Sequence, residues 1–241
     1  MSSVTAGPPD VEGDAASAPG PTRRKGKTRG EMTRRRLLDA AEAVFAENGY
    51  HDASIVRIVE HAGVAQGTFY IYFRSKLKIF EELVADLNTR LREAMTAGAR
   101  TTAGDRFQAE RGGFAAFFRF TAEHPALYRV IREAEFVAPD AQRRHYEKII
   151  EGYGRALSEA MEAGEIERTD PIVLAWALMA VGQFIGMRWI SWEANQEIPE
   201  DVYEQCMRIV HRILGATLPP VTPAPVTPPP VTSASVTAPG A

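Results

Sequence analysis

Gln66, Thr68 and Tyr70 alternate along the run QGTFYIY and carry side chains that can read the edges of base pairs. A glutamine carboxamide offers a donor beside an acceptor, the pattern adenine presents, and threonine adds a hydroxyl next to a methyl. Gly67 between them has no side chain to hold the backbone away from a partner. Tyr70 and Tyr72 are aromatic with polar tips, and packing against the first helix is one use open to Tyr70. Lys76 follows at the start of the next helical pattern, where its ammonium and the unpaired N–H groups both favour an anion. This is the chemistry of recognition. No glycine loop, nucleophile elbow or metal-ligand spacing appears, so catalytic residues and a metal site are not expected. His51, His61, His124, His145 and His211 are scattered, with His145 nearest a possible pocket.

Such residues need a helix-turn-helix to present them. Ser54 has the hydroxyl of a helix cap, and Ile55, Ile58, Val59 and Ala62 recur on one face after it. Gly63 suits the left-handed turn that ends a helix, and Val64 can plug the crevice between crossing helices. The second helix, Gln66 to Tyr72, keeps Phe69 for its inner side, and Phe73 follows on that side. Two helices and a glycine turn occur in many all-helical proteins, but charge narrows the choice. From Arg23 to Phe80 there are 12 Lys/Arg and 6 Asp/Glu, a net of +6, whereas Glu81 to Ala241 carries −6. The overall −3 conceals a basic module joined to an acidic remainder. A basic face supplies salt-dependent attraction to phosphates, although basic runs also serve as solvated tails or localisation signals.

Thr33 to Phe80 resembles the DNA-binding domain of the TetR (tetracycline-repressor-like) family. The matching pieces are RRRLLDAAEAVFAENGY as first helix, AGV as turn, GTFYIYF as recognition helix and Ser75-Lys76 opening the next. The resemblance implies an all-α homodimer that binds a pseudo-palindromic operator on double-stranded DNA, usually as a repressor released by a small ligand. It carries DNA contact to Ala65, Gln66, Gly67, Thr68, Tyr70, Tyr72 and Lys76. Thr33 and Ser54 are expected to hold phosphates at helix starts, and Arg23, Arg24 and Lys25 to form an arm along the DNA. Ala65 stands where the family usually has Ser or Thr as a cap, an omission that costs about 1 kcal/mol.

Four segments follow. Residues 1–22 and 218–241 are rich in Gly, Pro, Ala, Ser, Thr and Val and read as disordered. Residues 23–80 form the basic arm and helix-turn-helix domain, and residues 81–217 a larger helical domain for ligand binding and dimerisation. There, Ser75 to about Arg100 reads as a connecting helix with Leu77, Phe80, Leu83, Val84 and Leu87 as its apolar stripe, and further helices are expected at 105–123, 125–132 and 139–163. Pro171 to Met187 is uncharged. Its length sits at the lower limit for a membrane span, and burial in a protomer and across a dimer explains it better. With Asp201 to Leu214 it resembles the helix pair that makes the family's dimer interface. The single Cys206 excludes an internal disulfide, and the start of the chain lacks a signal-peptide core, both fitting a cytoplasmic protein without membrane contact.

Phe117, Phe118, Tyr128, Ile131, Tyr146, Ile150, Tyr153, Met179, Gln183, Phe184 and Trp189 are candidates to surround an apolar effector. Stripes of Phe and Met are equally a packed core. HPALYRVIREAEF resembles TetR-like regulators of lipid metabolism, which makes an acyl-CoA or fatty-acid derivative a candidate ligand and Arg132, with Glu133 or Glu135, its polar partner or a helical ion pair. No cofactor is expected. The rival classes are a helical enzyme and a scaffold that keeps the fold without operator binding.

Overall fold

A computed structural model of the protein describes residues 28–101, 104–193 and 197–215. Among these residues there are nine α-helices and one π-helical turn, with no strand. The predicted arm residues Arg23, Arg24 and Lys25, and the segments 1–22 and 218–241, lie outside the described residues.

Helix α1 spans Arg29–Asp52 and begins five residues before the expected start at Arg34. Thr28 makes it start there: its hydroxyl accepts from the Glu31 N–H while the Glu31 carboxylate accepts from the Thr28 N–H, two orphan donors satisfied reciprocally. Leu37, Leu38, Ala41, Val44 and Phe45 form its buried stripe. The helical path breaks at Gly49, whose φ of 71° is left-handed. Helix α2 (Ile55–Ala62) is capped by Ser54, which accepts from the Arg57 N–H at 3.2 Å, and ends in the left-handed Gly63. Helix α3 (Gln66–Tyr72) buries Phe69 and is followed by the buried Phe73.

Three residues later α4 begins and runs Lys76–Thr101. Leu77 is exposed, contrary to its expected place in the apolar stripe, because Ile79 takes the inward position beside Phe80, Leu83, Val84 and Leu87. Helix α5 (Arg106–Glu123) is capped by Asp105, and α6 (Ala126–Val137) extends beyond the short helix expected. Helix α7 covers Pro139–Glu162, and α8 (Pro171–Gly186) passes into the π-helical turn Met187–Ser191. Helix α9 (Glu200–Ile213) buries Cys206, Met207 and Val210, while Ile209 faces outward.

The apolar interior does not divide at residue 80. One cluster runs from α1–α3 through Leu83, Leu87 and Leu91 of α4 to Val130 and Ile131 of α6 and Ile149 of α7. The other unites α5, α7, α8 and α9 around Phe118, Leu157, Leu178 and Val210. Helix α6 also grips the break in α1: Arg129 Nη1 donates to the carbonyls of Ala46 (2.9 Å) and Glu47 (3.1 Å), and Glu133 accepts from the Tyr50 N–H at 2.6 Å. Glu133 therefore pairs with Arg129 rather than Arg132.

Pro171–Ser191 is long and apolar enough by composition to cross a membrane. In the fold its Leu174, Ala175, Leu178, Gly182 and Gly186 side is buried, and Ile172, Val173, Trp176 and Phe184 are exposed.

Candidate nucleic-acid interface and effector cavity

The front of the molecule presents α3. Gln66, Gly67, Tyr70 and Ile71 are exposed, Thr68 is half-buried, and Phe69 behind them is inaccessible to solvent. The inner phenylalanines thus fix the outer side chains in position. Ile71, at 76% exposure, was not anticipated; an apolar residue in a short strip of polar and aromatic types gives no sign of facing outward until the helix is placed. Thr33, Ala65, Thr68 and Tyr72 line one concave surface of about 720 Å³ together with Arg29 and Arg36. Thr33 is one turn inside α1, where its hydroxyl donates to the Arg29 carbonyl at 3.0 Å, so it is not at a helix start as expected. Ala65 provides no side-chain cap to α3, as its type dictates.

Lys76 has a different position from the one its sequence context suggested. Its ammonium donates to the carbonyls of Tyr50 (2.6 Å), His51 (3.1 Å) and Ala53 (2.8 Å) and lies 4.5 Å from the centre of the Tyr50 ring. An ammonium has three N–H donors, and all three are occupied at the end of α1. The neighbouring arginines are also engaged internally. Arg34 pairs with Glu82, and Arg35 bridges Asp39 and Asp86 at 2.5 and 2.6 Å. Arg36 donates to the Ala62 and Gly63 carbonyls and so caps α2. Burial alone lowers the Arg35 pKa, but the two carboxylates outweigh it and keep the guanidinium charged. Among the described residues, Arg29 and Arg74 are exposed cations of this region with no carboxylate in salt-bridge range.

Behind this face, α4 to α8 enclose an apolar cavity of about 40 Å³ at the seam between the two clusters. Phe117, Tyr128, Ile131, Tyr146, Tyr153, Met179 and Gln183 line it as expected, with Leu91, Met95, Phe114 and His145 in addition. Five of the expected residues lie elsewhere. Phe118 and Ile150 are buried in the second cluster without reaching the cavity, Arg132 is exposed on α6, and Phe184 is 64% exposed on the outer side of α8. Trp189, in the π-helical turn, is likewise absent from the lining.

Polar groups in this wall are few. His145 is buried, and desolvation holds its pKa down to about 4, so the ring is neutral. The Asn88 amide donates to the His145 carbonyl at 2.8 Å and faces Nδ1 at 3.1 Å. With Nδ1 accepting, the ring proton is on Nε2. Burial also raises the Tyr128 and Tyr153 hydroxyls well above the usual tyrosine range, so both remain protonated donors. Cys206 is buried in the second cluster and its thiol is pushed up to about 12, which leaves little thiolate. Among the described residues no group of His, Cys, Asp and Glu side chains is placed to hold a metal ion.

The geometry agrees with what other proteins show. Residues 37–83 match the model of bacterial regulatory proteins, tetR family. BetI of Escherichia coli, an HTH-type transcriptional regulator, is 30% identical over 153 residues, 55% of this chain and 75% of BetI. The fatty acid metabolism regulator protein of Bacillus subtilis is 41% identical over 61 residues, 24% of this chain and 31% of that protein. Overall, the chain spans about a third to a half of the length of the first curated relatives it matches. Among solved structures, Salmonella enterica GusR superposes with a TM-score of 0.65 at 22% identity, covering 78% of this chain and 98% of GusR, which extends the likeness in fold to the helices beyond residue 83. These relatives are transcriptional regulators and not enzymes. With its helix-turn-helix in place and a regulator matched over most of that regulator's length, the chain belongs to the TetR family of bacterial regulatory proteins.

Proposed function

We propose that this chain is a cytoplasmic, homodimeric repressor that binds a palindromic operator in double-stranded DNA and leaves it when a small apolar effector enters the cavity. The observation that carries this reading is the double use of α4. Its N-terminus follows the recognition helix by three residues, and its Leu91 and Met95 wall the cavity. Ligand sites for drug-sized molecules occupy about 300–1,000 Å³, and the cavity offers about 40 Å³. An occupant of ordinary size must therefore displace α4 or its neighbours. An effector that prefers the displaced arrangement weakens DNA binding by that difference in affinity.

Gln66, Thr68, Tyr70 and the close-approaching Gly67 read base edges in this scheme, while Arg29, Arg74, Ser54 and Tyr72 border the phosphates. Two such helices bound one turn apart need a two-fold partner, with roughly 34–36 Å between half-sites. The exposed Ile172, Val173, Trp176 and Phe184 of α8 and Ile209 of α9 supply an apolar face for that partner. This packing against a second copy also accounts for the apolar outer face of α8 without a membrane. The fatty acid metabolism regulator among the relatives, together with the apolar lining, favours an acyl-CoA or fatty-acid derivative as effector.

In vitro selection with purified protein should yield a palindromic sequence bound with steep salt dependence, and Tyr70→Ala should abolish that binding. If no duplex is retained at low ionic strength, the operator reading is wrong and a scaffold role takes its place. Sedimentation should give a dimer that Phe184→Arg dissociates.

A further inference from the structure

The apolar cavity has a neighbour. A cleft of about 440 Å³ lies between α4, α5 and α7 and shares four of its residues, Met95, Phe114, Ile149 and Tyr153, with the cavity wall. Those side chains border both spaces. The cleft is of a size that holds a ligand, whereas the cavity behind it is not, and their chemistry differs. The cavity wall is mostly apolar and uncharged, while the cleft carries Arg92, Arg100 and Arg106.

The three arginines are not equivalent. Arg106 is paired with the buried Glu110, which also accepts from the Tyr153 hydroxyl, and its guanidinium lies 5.6 Å from the centre of the Tyr153 ring. That network fixes the tyrosine as a partition. Among the described residues, Arg92 and Arg100 have no carboxylate within salt-bridge range, although Glu159 also lines the cleft. They are eight residues apart on α4, about 12 Å along the axis. Arginines that line a cleft unpaired present donors suited to carboxylate or phosphate oxygens.

We propose that this cleft is the doorway of the cavity and the head-group site of its effector, a single-chain amphiphile whose anionic head is held by Arg92 and Arg100 while its chain passes Met95 and Tyr153 into the interior. The proposal rests on the effector reading above and specifies its chemistry. Each methylene that leaves water contributes about 0.8 kcal/mol, which drives the chain inward. The arginines keep the head outside, so entry pushes on α4 from within while the head stays attached to the same helix. Two sources share this chemistry, a free fatty acid with its carboxylate and an acyl thioester with its phosphates.

The test is direct titration of the full-length protein, without DNA, with palmitate, palmitoyl-CoA and hexadecanol, read by calorimetry. At least one of the two anions should bind more tightly than hexadecanol, with an affinity that falls as salt rises. Binding of palmitate assigns the carboxylate; binding of palmitoyl-CoA alone assigns the phosphates. The double variant Arg92→Glu/Arg100→Glu should weaken the anion at least tenfold and leave hexadecanol within twofold, with an unchanged melting temperature. In stopped-flow mixing, Tyr153→Phe, which removes the bond to Glu110, should speed entry several-fold. Anion affinity indifferent to the charge reversal, or hexadecanol binding as tightly as the anions, overturns the head-group site, and an unchanged entry rate overturns the doorway. A protein that binds these amphiphiles in this way but no duplex refutes the operator reading and leaves this one intact. Operator release by an anion that ignores both arginines does the reverse.

Discussion

The core of the helix-turn-helix and the wall of the cavity use the same kinds of residue to opposite ends. Around the helix-turn-helix, Phe45, Phe69, Phe73 and Phe80 are fully buried, with Phe45 edge-on to Phe80 at 5.2 Å and Phe69 tilted against Phe73 at 5.7 Å. Around the cavity, Phe117 is only half-buried, and Met95 and Met179 occupy positions where a branched side chain would fix the packing more firmly. The interior around the helix-turn-helix leaves nothing to rearrange. The cavity wall, built from both clusters, can yield. A DNA-reading surface must be stiff so that its contacts are made together, and a sensor must have somewhere to move; these two regions divide those duties.

Several measurements can break or sharpen this contrast. The largest effect belongs to Phe69→Ala, which should cost about 3–5 kcal/mol in chemical denaturation, as expected for a truncated core aromatic. Phe117→Ala, beside space already vacant, should cost less than half as much, and equal losses would refute the distinction between stiff and yielding cores. Next comes pH. His145 is held to about 4 in the folded protein against an ordinary 6.5. As pH falls below 6.5 the unfolded chain takes up a proton that the folded one refuses, so stability is lost from pH 6.5 down to about 4, by about 3 kcal/mol in all. Above pH 6.5 this contribution is constant. Replacement by leucine should flatten that part of the stability profile, whereas a slope unchanged in His145→Leu would place the titrating group elsewhere.

A smaller effect is expected from Lys76→Ala. Loss of its bonds to three carbonyls should cost about 1.5–3 kcal/mol while leaving the salt slope of DNA binding as it was. A fall of about one in that slope would instead restore the phosphate contact expected from its position in the sequence. The smallest effect has the opposite sign. Ala65→Ser supplies the missing cap of α3 and should stabilise the protein by about 1 kcal/mol, measurable as a rise in melting temperature.

What the sequence disclosed was local. Ser54, Gly63 and the spacing of Ile55, Ile58 and Val59 act within one or two turns, and the helix-turn-helix is built from such short-range effects. Pro139 at the start of α7 and Gly164 just beyond its end were legible for the same reason. The fates of Arg34, Arg35, Arg36 and Lys76 were not, because their partners, apart from Asp39 one turn from Arg35, lie 23–51 residues away along the chain and become neighbours only after folding. The basic module thus spends much of its charge internally. The cavity was legible in part. A stripe of aromatic residues identifies an inward side, but whether inward means packed, as for Phe118 and Ile150, or bordering a void, as for Phe117 and Tyr153, depends on how five helices meet. Phe184 misled because every side of α8 is apolar, so periodicity could not tell its inner face from its outer one.

The grip of Arg129 and Glu133 on the break in α1 has a genetic consequence. A side chain added at Gly49 would collide with both, so in the mechanism proposed above these three positions couple the effector-binding helices to the DNA-reading ones. Selection for mutants deaf to their inducer should therefore recover changes at this joint, remote from the bases and from the small molecule alike.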